Sequence, residues 1–205
     1  YIEVSPRIDI SGSVRDRSLC LTGFQHGQEY DVTIKQGLPG KDGAWFAGNQ
    51  TVEFSIGSRP PSVKFYTQKY VLPKGISRGV PVRTINVDEL NIRLYRINDR
   101  TLVFHTVFLG ERALERRSFS ALEEYSGELL WSGKVKTKGQ SNKEVTTLLD
   151  FSKVAGIDRP GVYVVSAERP GKTKRSWHEL PTQWFVRSDI GFTTYEASSG
   201  LVILL

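Results

Sequence analysis

An all-β fold of tandem fibronectin-III/immunoglobulin-like β-sandwich domains, with one short helical insertion, is what this chain predicts, on three observations. Apolar and polar residues alternate over short runs along most of its length, the period-two signature of half-buried strands. Glycine and proline, 19 and 9 residues, fall between those runs as turn punctuation. The aromatic share of 11% favours strands over long helices. With 205 residues and 39% apolar content the chain can bury a sizeable core, and its length allows one or two domains.

Residues 1–58 predict an incomplete immunoglobulin-like domain. Its strands are expected at Tyr1–Ser5, Ser18–Thr22, Tyr30–Ile34 and Thr51–Ile56. Tyr30, Val32 and Ile34 fall on one face against Asp31, Thr33 and Lys35, and Val52, Phe54 and Ile56 alternate with Glu53 and Ser55 in the same way. The Gln25–Gln28 and Leu38–Gly43 stretches supply the glycines that tight connections need. Since a full sandwich of this class has about seven strands, the opening strands are expected to lie upstream of Tyr1.

Gly57-Ser58-Arg59-Pro60-Pro61 marks the boundary, because two prolines cannot donate ladder hydrogen bonds and hold the backbone extended. A β-sandwich over residues 59–189 follows. Strands are expected at Ser62–Tyr66, Val80–Val87, Leu90–Ile97 and Leu102–Phe108, joined by Leu72–Gly75 and by a hairpin turn at Asn98–Arg100. Between Leu109 and Ser126 the period changes: Phe119, Leu122 and Tyr125 recur every third residue, Ser120 with Glu123 reads as a capping box, and Gly127 is placed to stop a helix. Strands resume at Leu129–Lys136, Val145–Leu149, Val162–Glu168 and Thr182–Val186, with Trp131 and Tyr163 as large core or edge aromatics. The Pro160–Gly191 stretch reads as a closing hairpin running without a spacer into a further unit. Residues 190–205, with Phe192–Tyr195 and the apolar run from Leu201, are expected to open that following domain.

The net charge of +6 and pI near 9.4 raise nucleic acid or a membrane surface as partners. Their distribution opposes it. Lys172, Lys174 and Arg175 sit in a turn, Arg112, Arg116 and Arg117 are interleaved with Glu111 and Glu115, and no reader motif accompanies them. No window reaches the roughly 18 consecutive apolar residues of a membrane span. The chain starts at Tyr1 without an initiator methionine or leader and stops inside an apolar run, so a fragment of a longer protein is expected. Its single cysteine, Cys20, excludes an internal disulfide framework; in the alternating run Leu19–Thr22 it reads as a packed or half-packed thiol.

Catalytic signatures are missing. The three histidines, His26, His105 and His178, lie far apart in sequence, and alternation makes His105 a strand residue. His178-Glu179 lacks the spaced partners of a metal site. There is no Gly-x-Ser-x-Gly elbow, no phosphate-cradling loop and no His-Glu-x-x-His helix. Asp88-Glu89 and Glu123-Glu124 are sequence neighbours whose side chains diverge on a strand or a helix. No catalytic, cofactor-binding or metal residues are therefore assigned, no cofactor is expected, and the chain reads as not an enzyme. Asn49-Gln50-Thr51 matches a glycosylation sequon, with consequence only in a eukaryotic secretory setting.

Several ordered segments together resemble the amino-terminal macroglobulin-like domains of bacterial alpha-2-macroglobulins: Leu21-Thr22-Gly23-Phe24 with Gly27 and Tyr30, Gly37-Leu38-Pro39, Pro61–Phe65 with Val71-Leu72-Pro73, Asn91–Arg100, Trp131-Ser132-Gly133 and Gln183–Gly191. The resemblance implies a scaffold segment of a periplasmic peptidase inhibitor that acts by entrapment, with peptidases and neighbouring domains of the same chain as partners and a parent open to membrane anchoring. The family's reactive thioester is built from Cys-x-Glu-Gln. Cys20 is followed by Leu21-Thr22-Gly23 and does not match it, and no stretch reads as a cleavable bait. The fold also hosts cell-surface adhesion and carbohydrate-binding arrays, for which an exposed aromatic row including Trp45, Phe46 and Trp177 would speak, and accessory domains of secreted enzymes.

Overall fold

Two units, Tyr1–Pro60 and Pro61–Leu205, make up the chain, divided between the two adjacent prolines. The structure, a computed structural model, describes residues 1–16, 18–40, 43–66, 70–73, 79–102, 113–171, 179–188, 193–197 and 200–204.

In the first unit β1 (Ile2–Ser5), β4 (Gln28–Ile34) and β5 (Gln50–Ile56) form an antiparallel sheet in the order β1-β4-β5, and β2 (Ser11–Arg15) pairs with β3 (Ser18–Thr22) in a separate ribbon. Tyr30 and Val32 are buried, as their alternation predicts. Phe24, Tyr30 and Phe54 meet edge to face or tilted, with ring centroids 4.9 to 5.9 Å apart. Gly23 is fixed by geometry: its φ is +112° and a Cβ there would lie 2.3 Å from the Asp9 carbonyl oxygen. Strand β2 escaped prediction because Ser-Gly-Ser-Val-Arg carries no apolar alternation. Two expectations fail in this unit. Cys20 is exposed rather than packed, as are nearly all the residues of the β2–β3 ribbon. Val52 is also exposed, lying in the uncovered first half of an edge strand.

The second unit is a sandwich. Its larger sheet has the order β10-β14-β13-β9-β11, built from β9 (Glu89–Ile97), β10 (Ala113–Glu115), β11 (Gly127–Lys136), β13 (Gly161–Glu168) and β14 (Glu179–Ser188), with β7 (Tyr70–Pro73) also on β14. The smaller sheet, β12-β8-β6, comprises β6 (Ser62–Phe65), β8 (Val80–Ile85) and β12 (Glu144–Leu149). A hairpin of β15 (Thr193–Ala197) and β16 (Gly200–Leu204), expected to open a third domain, forms a two-stranded sheet of its own. The Pro160–Gly191 hairpin is present as the antiparallel pair β13–β14, with Val164 opposite Trp184.

Strict alternation sorts the larger sheet into two apolar faces. Leu90, Ile92 and Leu94 of β9, Tyr163, Val165 and Ala167 of β13, and Phe185 of β14 point inward against Phe65, Val80, Val82 and Leu149 of the smaller sheet. Tyr95, Ile97, Val162, Val164, Leu180 and Trp184 point outward, where Phe119 and Leu122 of the helix α1 (Arg116–Tyr125) cover them. Strand β13 is consequently buried on both faces, and its sequence reads as a nearly continuous apolar run.

Several expected elements are corrected here. Leu72 and Pro73 lie in a strand rather than a connection: β7 runs parallel to the end of β14 and buries Leu72, with Pro73 at the strand's last position. Leu102 is helical rather than the start of a strand, and 103–108 lie outside the described residues. The helix begins at Arg116, not in the region of Leu109, because Ala113–Glu115 pair with β14. Ser120 is inside the helix and caps nothing; Glu115 holds the N-cap position without a side-chain bond. Tyr125 is 71% exposed, since at about 100° per residue the third member of an every-third-residue series leaves the buried face. Gly127 opens β11 at a tight place: a Cβ would sit 3.0 Å from the Tyr95 ring and 3.1 Å from Leu122, so a larger residue would make these neighbours give way by a few tenths of an ångström. The Asn98–Arg100 turn exists, closed by Thr101 N–H to the Asn98 carbonyl at 2.9 Å, but β9 pairs with β11 and β13.

Candidate functional site

Two gatherings of polar side chains among the described residues of the second unit are structural joints. The first lies under α1. Arg93 and Tyr95, alternate residues of β9, reach outward to Glu123 in the last turn of the helix. Arg93 Nη1 donates to Glu123 Oε1 at 2.7 Å and the Tyr95 hydroxyl donates to the same oxygen at 2.5 Å. Burial, and then the hydrogen bond to the carboxylate, push the Tyr95 hydroxyl up to about 12, and its hydrogen bond with Glu123 raises Arg93 further above its ordinary value. At the other end of the helix Arg116 pairs with Glu168 of β13, both largely buried. Arg116, interleaved with glutamates in the sequence, is thus a helix residue with a fixed partner. The Tyr95 ring meets Phe119 edge to face, 5.7 Å between centroids.

The second joint is at the pole where β13 begins and β14 ends. The Tyr163 hydroxyl donates back to the backbone carbonyls of Arg159 at 2.5 Å and Gly156 at 3.2 Å. A tyrosine near a strand start that bonds its own upstream backbone is the tyrosine corner of sandwich domains. Burial raises this phenol as well, against the opposing pull of Arg96, Arg159 and Arg187 nearby. Each arginine has a carboxylate: Arg96 with Asp99 at 3.0 Å, Arg159 through Nη2 with both oxygens of Glu128 at 2.9 Å, and Arg187 with Asp158 at 2.5 Å. An open groove of about 370 Å³ lies beside this pole, lined among others by Arg96, Asn98, Glu124 and Tyr125. Arg96 there is held by Asp99 and the Pro160 carbonyl rather than aimed at a ligand.

The residues weighed for chemistry stay apart. His26 is exposed in the first unit, its Nδ1 3.0 Å from the Gly57 carbonyl, whereas His105 and His178 lie outside the described residues. Glu89 pairs with Lys134 at 2.8 Å while Asp88 faces solvent, so the two diverge. Glu123 is committed to the β9 joint and Glu124 turns to the groove. Among the described residues no group of three or more His, Cys, Asp or Glu is placed to hold a metal ion, and no helix is long and apolar enough to cross a membrane. Trp45 is 67% exposed, Phe46 is half-buried, and Trp177 is outside the described residues with Lys172, Lys174 and Arg175. Sequence alone missed both joints; alternation places Arg93 beside Tyr95 on one face, but nothing local names Glu123 as their partner.

Residues 64–185, more than half of the chain, match the model of the bacterial alpha-2 macroglobulin MG2 domain. The chain belongs to the bacterial alpha-2-macroglobulin family. It is 22% identical over 202 residues to the alpha-2-macroglobulin of Escherichia coli K12, covering 97% of this chain and 12% of that protein. Salmonella alpha-2-macroglobulin reacted with methylamine shares the fold with a TM-score of 0.65 and 20% identity, over 94% of this chain and 11% of that one. The native Escherichia coli protein spanning domains MG0-NIE-MG1 aligns with a TM-score of 0.54 and 20% identity, over 96% of this chain and 64% of that chain. The macroglobulin match falls on the sandwich, and its ends, Lys64 in β6 and Phe185 in β14, bracket both cores described above. Trp131-Ser132-Gly133, one of the resembling segments, has a packing reason: the Trp131 ring lies so close over Gly133 that a Cβ would meet it at 2.5 Å.

Proposed function

We propose that this chain is a scaffold segment of a periplasmic alpha-2-macroglobulin, a broad-spectrum peptidase inhibitor that works by entrapment. Cleavage elsewhere in the parent would let its sandwich domains move as rigid bodies around the peptidase, and this chain would transmit that motion. The observation that carries the reading is the match of a complete sandwich to the family's macroglobulin domain, together with polar joints that are spent on holding the sandwich itself. Cys20, exposed on a ribbon and outside the thioester motif, is given no part in trapping.

The test pairs two measurements. The isolated 205-residue chain, mixed with trypsin-like and subtilisin-like peptidases, should leave cleavage of a large protein substrate unchanged. The parent carrying this segment should protect the same substrate while leaving small peptides cleavable. Stoichiometric inhibition by the isolated chain, or a parent that protects nothing, removes the proposal. A second reading rests on Trp45, whose exposure suits a carbohydrate-binding platform. A glycan screen with a hit abolished by Trp45→Ala would favour it.

A further inference from the structure

The helix α1 is made of a sequence that opposes its own conformation. It has ten residues, below the roughly 12–15 at which isolated helices become even marginal, and no side chain caps its first turn. Within its ten residues the charges run against the helix dipole, with only Glu115 at the N-cap on the favourable side: Arg116 and Arg117 occupy the first turn and Glu123 and Glu124 the last. Serines at 118 and 120 add little propensity, and no opposite charges stand three or four residues apart within it.

The same misplaced charges are what bind it to the sheet. Arg116 reaches Glu168 on β13, and Glu123 reaches Arg93 and Tyr95 on β9. Between these two latches Phe119 and Leu122 insert against Tyr95, Val164 and Trp184. The excursion also has a closed neck. Asn98 N–H donates to the Ser126 carbonyl at 2.8 Å, and Gly127 pairs with Ile97, so the β9–β11 register continues from the neck without help from the helix.

We propose that α1 is a helix only while docked: a strap over the outer sheet face that releases as a unit, ahead of the sandwich, when an ionic latch is broken. Release leaves the inner core intact and uncovers the Trp184 face. In a scaffold domain this is a built-in element with two states, ordered by side chains on β9 and β13 and not by its own turns.

Native-state hydrogen exchange on the 205-residue chain tests this, read over Ser120–Ser126 against β9 and β13. In the unmodified protein the helix amides should exchange at least about a hundredfold faster than those of the two strands, as a group and with little denaturant dependence. The decisive variant is Arg116→Glu, which improves the helix dipole and destroys the latch. A docked-only helix predicts about tenfold faster exchange in α1 with the strands unchanged, and return to within about threefold in Arg116→Glu/Glu168→Arg. Slower or unchanged exchange in Arg116→Glu overturns the proposal, as does a helix exchanging at the β13 rate in the unmodified protein. Global unfolding caused by Arg116→Glu alone also overturns it, because the sandwich would then depend on the strap.

Discussion

Both faces of the larger sheet are apolar, but they are closed by different means. The inner face is met by a second sheet, with Leu90, Ile92 and Leu94 interleaving against Val80, Val82 and Leu149. The outer face is met by one short helix, whose grip depends on ion pairs at its two ends. Sheet on sheet buries residues through a repeating pattern that each strand carries for itself. Helix on sheet here rests, among the described residues, on Phe119 and Leu122 with Leu102 packed beside the same cluster, and on charges at the two ends of the helix. The comparison teaches that equal burial does not mean equal contribution to global stability: Ile92 and Leu122 are both essentially inaccessible, yet one belongs to the cooperative core and the other to a cover.

Truncation at those two positions gives the largest expected effects. Ile92→Ala should cost about 2–5 kcal/mol in equilibrium urea unfolding, through lost transfer energy and the cavity left between two sheets. Leu122→Ala removes a similar volume but should shift the same transition by less than half as much, since its cost cannot exceed the docking energy of α1. Equal shifts would mean that helix and sandwich are one cooperative unit and would erase the distinction between the faces.

Alkaline titration acts mainly on the outer face. Tyr95 is neutral when docked and its folded value, about 12, stands above the ordinary value of 10, so the folded state holds the proton more tightly than the unfolded chain. Its contribution is complete below pH 10 and is lost as pH rises toward about 12. Tyr163 is shifted in the same direction by burial and adds to the slope. Stability measured from pH 9 to 12 should therefore fall more steeply in the unmodified protein than in Tyr95→Phe. A Tyr95→Phe profile as steep as the original would show that Glu123 does not hold that hydroxyl.

The tyrosine corner closes the inner face at its pole. Tyr163→Phe keeps the ring stacked on Phe185, 5.2 Å between centroids, while removing the hydroxyl that donates to the Arg159 carbonyl and shares the Gly156 carbonyl with Arg159. A loss of about 1–2 kcal/mol in thermal or urea unfolding is expected, with no change in the exchange of α1. Loosening of the helix in that variant would couple the two faces.

The inner face was legible because its signal is repeated. Apolar residues recurring through Leu90–Ile97 and the apolar run Val162–Glu168 are enough to name those strands, and the Pro60-Pro61 pair lies where the two units divide. The outer face was legible only in part. The spacing of Phe119 and Leu122 announced a helix, but Ser120 and Gly127 suggested local start and stop signals, whereas the helix is bounded by strand pairing at Glu115 and by the tight contact of Gly127 with Tyr95. Strand β7 hid for a related reason: four residues ending in proline gain their strand character from β14, far along the chain, and not from their own pattern. The joints at Glu123 and Tyr163 join residues 28 and 4 positions apart, and only the second lies within reach of a local reading.

The smallest expected effect separates ion pairs that hold an element from those that decorate a surface. Glu128 and Arg159 make a short pair, with Arg159 Nη2 donating to both carboxylate oxygens at 2.9 Å, but half of each side chain is in water. Solvent screening and the entropy of holding two long side chains offset most of the attraction. Arg116 with Glu168, by contrast, is largely buried and anchors the start of a helix that has no cap. Glu128→Gln should leave both the unfolding midpoint and the exchange of α1 unchanged, at low salt and at high salt alike. A midpoint that drops in Glu128→Gln, and drops less as salt is raised, would promote the polar pole from decoration to a third fastening of the sandwich, and the contrast between its two faces would then have to include its end.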